Sequence, residues 1–167
     1  YSEESGIPYG MAFHKNSYVG RTFIKPTQKE RESSVHLKLS VLDSAVKGKR
    51  IVLVDDSIVR GTTIANLIHM LKEAGAKEVH VRISSPPFLH PCYFGTDVPS
   101  NDQLIAATHS EEEICKMIGA DSLGYMQTDY LEGMAGGLPL CKACFDGNYP
   151  MEIPDYSEAE FMDILKC

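Results

Sequence analysis

One stretch of the sequence, residues 52–63, limits most strongly what this chain can fold into and bind. It begins within a short apolar run of β type, Ile51 to Val54, and turns polar at two adjacent carboxylates, Asp55 and Asp56. A loop of small residues follows and leads directly into an amphipathic helix. Backbone N–H groups at the start of a helix lack intrahelical acceptors, and the helix dipole favours an anion there. The stretch therefore predicts an anion-binding loop between a strand and a helix.

The side chains of this stretch indicate that the anion is the phosphate of a sugar. Gly61 lets the backbone approach a ligand closely, and the hydroxyls of Ser57, Thr62 and Thr63 can donate to phosphate oxygens. The two aspartates follow the carboxyl end of a strand, where open α/β sheets place their ligands. Because carboxylates repel phosphate, we expect them to hold sugar hydroxyls, a bridging Mg²⁺, or both. Taken without its context, the loop could also be a simple turn with a helix cap.

The residues after the loop have the pattern of a strand–helix–strand unit. Apolar residues repeat at helical spacing over 64–71, and Gly75 is a natural residue to end that helix. Val79, Val81 and Ile83 then alternate as a strand. Two strands joined through one helix imply parallel neighbours with a right-handed crossover. The chain is therefore predicted to be of the α/β class.

Further elements are predicted around this unit, although their patterns are shorter. A capping box, in which Ser110 begins a helix and Glu113 lies three residues on, predicts a helix ending at Ile118. The remaining predictions are a strand over Met11–Phe13, an extended stretch and short helix within Val35–Val46, a helix over Asp102–Ala107, a strand over Asp121–Tyr125 and a helix over Thr128–Met134.

Several segments in the same order resemble the glutamine phosphoribosylpyrophosphate amidotransferase family, which belongs to the type I phosphoribosyltransferases. Beside residues 52–63, the segments are Lys15–Ile24, Ser84–Pro87, His90–Cys92 and the pair Cys141 and Cys144. The resemblance covers roughly residues 1–150, the C-terminal phosphoribosyltransferase portion of that family, and leaves 151–167 as a C-terminal tail. It implies a type I phosphoribosyltransferase fold, a parallel sheet flanked by helices with a mobile lid loop. We expect that fold to be N-terminally incomplete, without its upstream strand and turn or the glutaminase domain.

The resemblance also implies an activity, the formation of 5-phosphoribosylamine from phosphoribosyl pyrophosphate and ammonia at the first step of purine synthesis. In the full enzyme the ammonia comes from glutamine, Mg²⁺ is a cofactor and purine nucleotides are inhibitors. A homo-oligomer is expected as well. Asp55 and Asp56 would bind the Mg²⁺. The substrate-binding residues implied are Asp55, Asp56, Ser57, Ile58, Val59, Arg60, Gly61, Thr62 and Thr63.

The polar segment from Lys15 to Ser34 has little periodicity and by itself predicts a mobile surface loop with solvated charges. The resemblance makes this segment a lid over the sugar diphosphate. A closed lid neutralises the charge that grows on the leaving pyrophosphate and excludes water. The residues that match substrate-contacting or lid-ordering positions are Lys15, Tyr18, Arg21 and Lys38.

The chain has five cysteines, and the spacing of Cys141 and Cys144 lets both sulfurs face one metal centre. Taken by itself this pair leaves zinc binding and redox chemistry open. In the iron–sulfur branch of the resembling family the pair binds a [4Fe–4S] cluster with a third thiolate, here Cys92. The fourth ligand of that cluster is not in this chain. Cys115, on an apolar helix face, is expected to be a core residue.

The charge and composition of the chain argue against some classes of binding partner. A net charge of −7 argues against nucleic acid and anionic membrane surfaces, and no apolar run is long enough to span a bilayer. We expect a cytoplasmic location and no disulfides.

Two alternatives to the amidotransferase reaction remain open. One is a non-catalytic module that binds phosphoribosyl pyrophosphate or a nucleotide, although a complete lid motif argues against a sensor. The other is a phosphoribosyltransferase that acts on a purine or pyrimidine base, for which no base-binding hood is recognisable.

Overall fold

The structure is a computed structural model that describes residues 1–15, 39–95 and 100–153. The strands in these ranges are β1 (Phe13–Lys15), β2 (Leu39–Val41), β3 (Arg50–Asp55), β4 (Glu78–Ile83) and β5 (Ser122–Tyr125). The helices are α1 (Ser2–Ser5), α2 (Asp43–Val46), α3 (Thr62–Glu73), α4 (Ile105–Thr108), α5 (Glu111–Ile118), α6 (Tyr130–Met134) and α7 (Ala143–Asp146). A 3₁₀ turn, Asn101–Gln103, precedes α4.

A parallel sheet with the strand order β3-β4-β5 is the centre of the fold. Residue Leu53 of β3 lies opposite Val81 of β4, and Val81 in turn lies opposite Leu123 of β5. The predicted strand–helix–strand unit with parallel neighbours is therefore confirmed. Strands β1 and β2 form a separate antiparallel pair, in which Phe13 lies opposite Val41.

One face of the parallel sheet carries the hydrophobic core. Val79, Val81 and Ile83 point to this face and are buried, as the predicted alternation requires. Helices α3 and α5 pack on them, and Leu71 and Ile114 are almost fully buried there. A buried side chain of this size contributes about 1.5–3 kcal/mol to the free energy of folding. The opposite face of β4 is polar and half-buried, with Glu78, His80 and Arg82 in a row.

Asp121 joins the central helix to the sheet. Its carboxylate accepts the backbone N–H of Val79 at 2.7 Å and lies 3.3 Å from the ammonium of Lys72 near the end of α3. The Val79 N–H is the main reason why the pKa of Asp121 is lowered from its ordinary value. The carboxylate therefore fixes where β4 begins relative to the end of α3.

Helix α5 begins as its sequence predicts. The Ser110 hydroxyl accepts the backbone N–H of Glu113 at 3.3 Å, and the Glu113 carboxylate accepts the backbone N–H of Ser110 at 2.8 Å. Gly119 ends the helix in the left-handed conformation, with a φ of 74°. Start and stop signals that satisfy the terminal backbone groups explain why this short segment is helical.

Other predicted boundaries shift. The first strand begins at Phe13 rather than Met11, because the antiparallel pairing with β2, which the sequence pattern did not reveal, fixes it. Helix α3 has Ala74 as its C-cap, and Gly75 follows with a φ of 90°. Helix α6 begins at Tyr130 rather than Thr128.

The helix predicted over Asp102–Ala107 is wrong as a continuous element. Leu104 interrupts it with an extended backbone, φ −95° and ψ 102°, between the 3₁₀ turn and α4. Its side chain is 1% exposed, and the next N–H, that of Ile105, is donated to Val59 rather than to a helical carbonyl. A tertiary hydrogen bond and burial thus override the local helical pattern.

No helix among the described residues is long and apolar enough to cross a membrane. The prediction of a separate tail over 151–167 lies largely outside the described residues, which end at 153.

Replacing Tyr125 by Phe is expected to raise the stability of the protein. The Tyr125 hydroxyl is buried with no hydrogen-bond partner among the described residues, and burial raises its pKa to about 12. Because a buried, unpaired polar group costs about 1–3 kcal/mol, Tyr125→Phe should increase the free energy of unfolding by about 1 kcal/mol in urea titrations. The exposed Tyr130→Phe is the matched control and should change it little. A loss of stability in Tyr125→Phe would show that the hydroxyl has a partner.

Replacing Glu113 by Gln should make one part of the stability independent of pH. The Ser110 hydrogen bonds lower the pKa of Glu113 from 4.5, so the folded state favours the ionised form. This contribution is complete above pH 4.5 and is lost as the pH falls through the lower folded pKa. Wild type should therefore be more stable than Glu113→Gln at pH 7, and the difference should shrink in thermal unfolding as the pH is lowered through the folded pKa. A constant difference at all pH values would contradict the capping role.

Candidate phosphate-binding site

The candidate site is the turn between β3 and α3. Strand β3 ends at Asp55, and α3 begins at Thr62. Gly61, the N-cap of α3, has a φ of 79° and a ψ of −15°. This left-handed conformation costs other residues about 1–2 kcal/mol, so a glycine is needed where the chain turns into the helix. The predicted layout of strand, loop and helix is confirmed.

The backbone of this loop presents unpaired donors. The N–H groups of residues 57–61 have no hydrogen-bond acceptor among the described residues, and the first N–H groups of α3 have no intrahelical acceptor. Ile58 is 2% exposed and holds the middle of the loop in the core. A loop that is anchored by an apolar side chain and presents successive N–H groups is suited to bind an anion.

The two adjacent carboxylates lie in different environments. Asp55 is half-buried, and its carboxylate accepts the N–H of Asp56 at 3.0 Å. Burial raises the pKa of Asp55, the hydrogen bond from Asp56 partly offsets this, and the charge of Asp56 raises it again. Asp56 is exposed and accepts the hydroxyl of Ser57 at 2.6 Å.

The carboxyl ends of β3 and β4 are tied together beside these carboxylates. The backbone carbonyl of Asp55 accepts both the N–H of Ser84 at 3.0 Å and its hydroxyl at 3.1 Å. The polar groups that the sequence predicts at this edge of the sheet are therefore held in place by main-chain contacts.

A distant segment holds the loop from its other side. The N–H of Ile105 is donated to the carbonyl of Val59 at 2.9 Å, and the guanidinium of Arg60 donates to the side-chain carbonyl of Gln103. A Cβ at Gly61 would lie 3.1 Å from Cδ1 of Ile105. Sequence reasoning missed Gln103 and Ile105, because they lie far along the chain in a segment predicted to be one regular helix.

Most of the predicted lid residues are outside the part of the chain that the structure describes. Tyr18, Arg21 and Lys38 are not among the described residues, and Lys15 is the last residue of β1. Their predicted contacts with a sugar diphosphate stay predictions.

The three cysteines that the sequence singled out come from two segments that are joined by hydrogen bonds. The N–H groups of Leu89 and His90 are donated to the carbonyl of Cys144 at 2.9 and 3.0 Å. The Tyr149 hydroxyl donates to the carbonyl of Pro91 at 2.8 Å. Burial, together with the neighbouring Cys92 and Cys141, raises the pKa of Cys144 to about 11.

Aromatic rings of the two cysteine-bearing segments pack against each other. The rings of Phe88 and Phe145 are 5.0 Å apart, and those of Tyr93 and Tyr149 are 5.4 Å apart. No disulfide joins the described cysteines. Within the described ranges, no three or more His, Cys, Asp or Glu side chains are arranged so that they could hold a metal ion.

Cys115 is in a different place, on α5. It packs against the hydrophobic core but is half-buried rather than fully buried, and its thiol lies 3.4 Å from the carbonyl of Ala120. Burial raises the pKa of Cys115. These contacts are those of a structural residue.

Comparison with known proteins agrees with this geometry. The family described as "Phosphoribosyl transferase domain" matches residues 3–84, which include the whole loop and the two carboxylates. The chain has the type I phosphoribosyltransferase fold, a parallel sheet with helices packed on it.

The relatives of this chain are amidophosphoribosyltransferases. It is 54% identical to that of Methanocaldococcus jannaschii, over 92% of this chain and 32% of the relative. It is 57% identical to that of Pyrococcus horikoshii, over 90% of this chain and 33% of the relative. A solved glutamine phosphoribosylpyrophosphate amidotransferase from Bacillus subtilis, in complex with ADP and GMP, matches with a TM-score of 0.79 and 51% identity. That match covers 93% of this chain and 35% of the solved one, so the chain spans about a third of the length of these relatives.

Replacing Gly61 by Ala should weaken both the fold and phosphate binding. Both the φ of 79° and the 3.1 Å approach to Ile105 oppose a Cβ at this position. We expect a loss of about 1–2 kcal/mol in the free energy of unfolding, as for any left-handed residue. We also expect about tenfold weaker calorimetric binding of ribose 5-phosphate, which corresponds to about 1.4 kcal/mol.

Gly119→Ala is the matched control. Gly119 has a φ of 74°, but a Cβ there meets nothing within 4 Å. It should lose similar stability and keep its affinity for ribose 5-phosphate. Equal affinities in the two variants would show that the loop does not depend on Gly61.

Proposed function

We propose that this chain is the phosphoribosyltransferase part of an amidophosphoribosyltransferase, which forms 5-phosphoribosylamine from phosphoribosyl pyrophosphate and ammonia. The observation that carries the proposal is the loop after β3, where N–H groups without an acceptor among residues 1–15, 39–95 and 100–153 follow two carboxylates at the carboxyl end of a parallel strand. The amidophosphoribosyltransferase relatives, each matched over about a third of its length, support the same reading.

The loop would bind the 5-phosphate of the sugar. The N–H groups of residues 57–61 and the first turn of α3 provide donors, and the hydroxyls of Thr62 and Thr63 provide two more. Arg60 adds a positive charge at the edge of the loop. Fixing the phosphate in this way places C1 of the ribose at one position, which is the main requirement when two reactants must meet in line.

The two carboxylates would bind the ribose ring. In the reaction the bond from C1 to the pyrophosphate oxygen breaks with its electron pair, the ammonia nitrogen bonds to C1, and a proton leaves the nitrogen. Positive charge develops on the ring before the new bond forms. Asp55 and Asp56, which hold the ring hydroxyls, would stabilise that charge from fixed positions.

The same two residues are the proposed ligands of Mg²⁺. Carboxylate oxygens at the exposed edge of a sheet are the donors that this ion takes when it is bound with phosphates. Bound Mg²⁺ would neutralise charge on the leaving pyrophosphate. We further propose that Lys15, Tyr18, Arg21 and Lys38 contact the pyrophosphate or order the closed lid, for which the sequence resemblance is the support.

An iron–sulfur cluster is the proposed occupant of the cysteine cluster, as in the iron–sulfur branch of the family. Cys92, Cys141 and Cys144 would supply three thiolates, and the fourth ligand would come from another part of the protein. The hydrogen bonds from Leu89 and His90 to Cys144 support this proposal, because they bring the two ligand segments together.

Iron and sulfide analysis of the full-length protein, purified anaerobically, should give about four of each per chain. Cys144→Ser should lower both, whereas Cys115→Ser should not.

The partners follow from the same proposal. A purine nucleotide would bind as an inhibitor with its phosphate in the loop, in line with the ADP and GMP complex of the solved relative. We also propose a glutaminase domain in the same protein as the source of ammonia, and a homo-oligomer. A cytoplasmic location is proposed because thiolates that bind iron must stay reduced.

Ammonia-dependent release of pyrophosphate from phosphoribosyl pyrophosphate with Mg²⁺ tests the proposed reaction. We expect the full-length protein to be active and the double variant Asp55→Asn with Asp56→Asn to lose activity by about 100-fold or more, because fixed charges at the reacting carbon are lost. The control is Asp43→Asn with Asp129→Asn, which removes two exposed carboxylates outside the loop and should leave the rate unchanged.

Two results would contradict the proposed enzymatic activity. Calorimetric binding of the sugar diphosphate to the wild type without any turnover would favour the non-catalytic binding module. Absence of both binding and turnover would reject the phosphoribosyl site altogether.

A further inference from the structure

We infer that Gln103 is a positioning residue that acts through Arg60 to hold the phosphate loop in its anion-binding conformation. The inference rests on the function proposed above, since it assigns the residue to the same site. It concerns a residue 43 positions away along the sequence, in an element that contributes no group to the loop itself.

Two hydrogen bonds attach this segment to two consecutive residues of the loop. The Arg60 guanidinium donates to the side-chain carbonyl of Gln103, and the N–H of Ile105 is donated to the carbonyl of Val59 at 2.9 Å. Val59 and Arg60 are consecutive, so the backbone is held just before the residue whose side chain is also held. The direction of the N–H groups of Arg60 and Gly61 is thereby restricted.

The segment that carries Gln103 is itself firmly anchored. Leu104 is 1% exposed, and its backbone is extended between the 3₁₀ turn and α4. The N–H groups of Gln103 and Leu104 are donated within the turn, to Ser100 at 3.3 Å and to Asn101 at 3.1 Å. Because the backbone that carries Gln103 is already fixed, only side-chain entropy is lost when the bond to Arg60 forms.

Arg60 needs such a support. It is exposed, and among the described residues its guanidinium makes no ion pair with a carboxylate. A long cationic side chain without a fixed partner would lose its freedom when an anion binds, and that loss lowers affinity. Gln103 restricts Arg60 beforehand and leaves its charge uncompensated, so the loop is preorganised for a phosphate.

The test is a double-mutant cycle between Gln103→Met and Arg60→Met in the full-length protein. Gln103→Met keeps the length of the side chain but removes the acceptor. It should raise the calorimetric Kd for ribose 5-phosphate and the KM for phosphoribosyl pyrophosphate about fivefold to twentyfold, as for a lost hydrogen bond to a charged group. In the Arg60→Met background the same change should have no further effect. The kcat should stay within about twofold, because the reacting atoms are not touched.

Two further variants separate positioning from a merely structural role. Gln103→Glu keeps an oxygen acceptor but compensates the charge of Arg60, so it should hold the side chain in place without restoring the affinity for ribose 5-phosphate. Gln127→Met makes the same chemical change at an exposed position outside the loop and should leave Kd and KM unchanged.

The outcomes distinguish the inference from the proposed function. An unchanged Kd in Gln103→Met, beside a wild type that binds, would overturn the positioning role alone. Equal effects in the presence and absence of Arg60 would overturn the route through Arg60. A wild type that binds neither ribose 5-phosphate nor phosphoribosyl pyrophosphate would overturn both this inference and the proposed function.

Discussion

The turn at Gly61 is the constraint on which the candidate site depends. Its φ of 79° allows the chain to leave β3 and enter α3 while the loop N–H groups have no acceptor in the part of the chain that the structure describes. Such a loop is costly unless other contacts fix it. Those contacts are the buried side chain of Ile58 and the hydrogen bond from Ile105 to Val59. Helix and loop therefore form one unit in which the core stabilises an arrangement that the loop could not keep alone.

The sheet places the carboxylates beside this unit. Because β3 and β4 are parallel, their carboxyl ends meet at one edge, and Ser84 at the end of β4 bonds the carbonyl of Asp55. Asp55 thereby lies half-buried, where its pKa is raised by burial, while Asp56 stays exposed. The two neighbours differ in exposure because Asp55 is the last residue of the strand, whereas Asp56 begins the loop. The proposed ribose site would thus have one half-buried and one exposed carboxylate.

Local patterns predicted the central part of the fold, and tertiary contacts decided the rest. The alternation of Val79 to Ile83 and the capping box at Ser110 were sufficient, because burial and backbone satisfaction act there over a few residues. The break at Leu104 and the pairing of β1 with β2 were not predictable, since each depends on a partner distant in sequence. The loop between strand and helix could be located from the sequence because its residues are contiguous, whereas the hydrogen bond from Arg60 to Gln103 joins distant residues and was visible only in three dimensions.

The most direct test of the account is a crystal structure of the full-length protein with ribose 5-phosphate. The account predicts phosphate oxygens about 2.9 Å from backbone N–H groups between Ser57 and Thr63, with the sugar hydroxyls at Asp55 and Asp56. It also predicts that Arg60 keeps its bond to Gln103 when the ligand is present. A phosphate bound elsewhere, with the loop N–H groups turned to acceptors within the protein, would contradict the central claim that this loop is built to hold a phosphosugar.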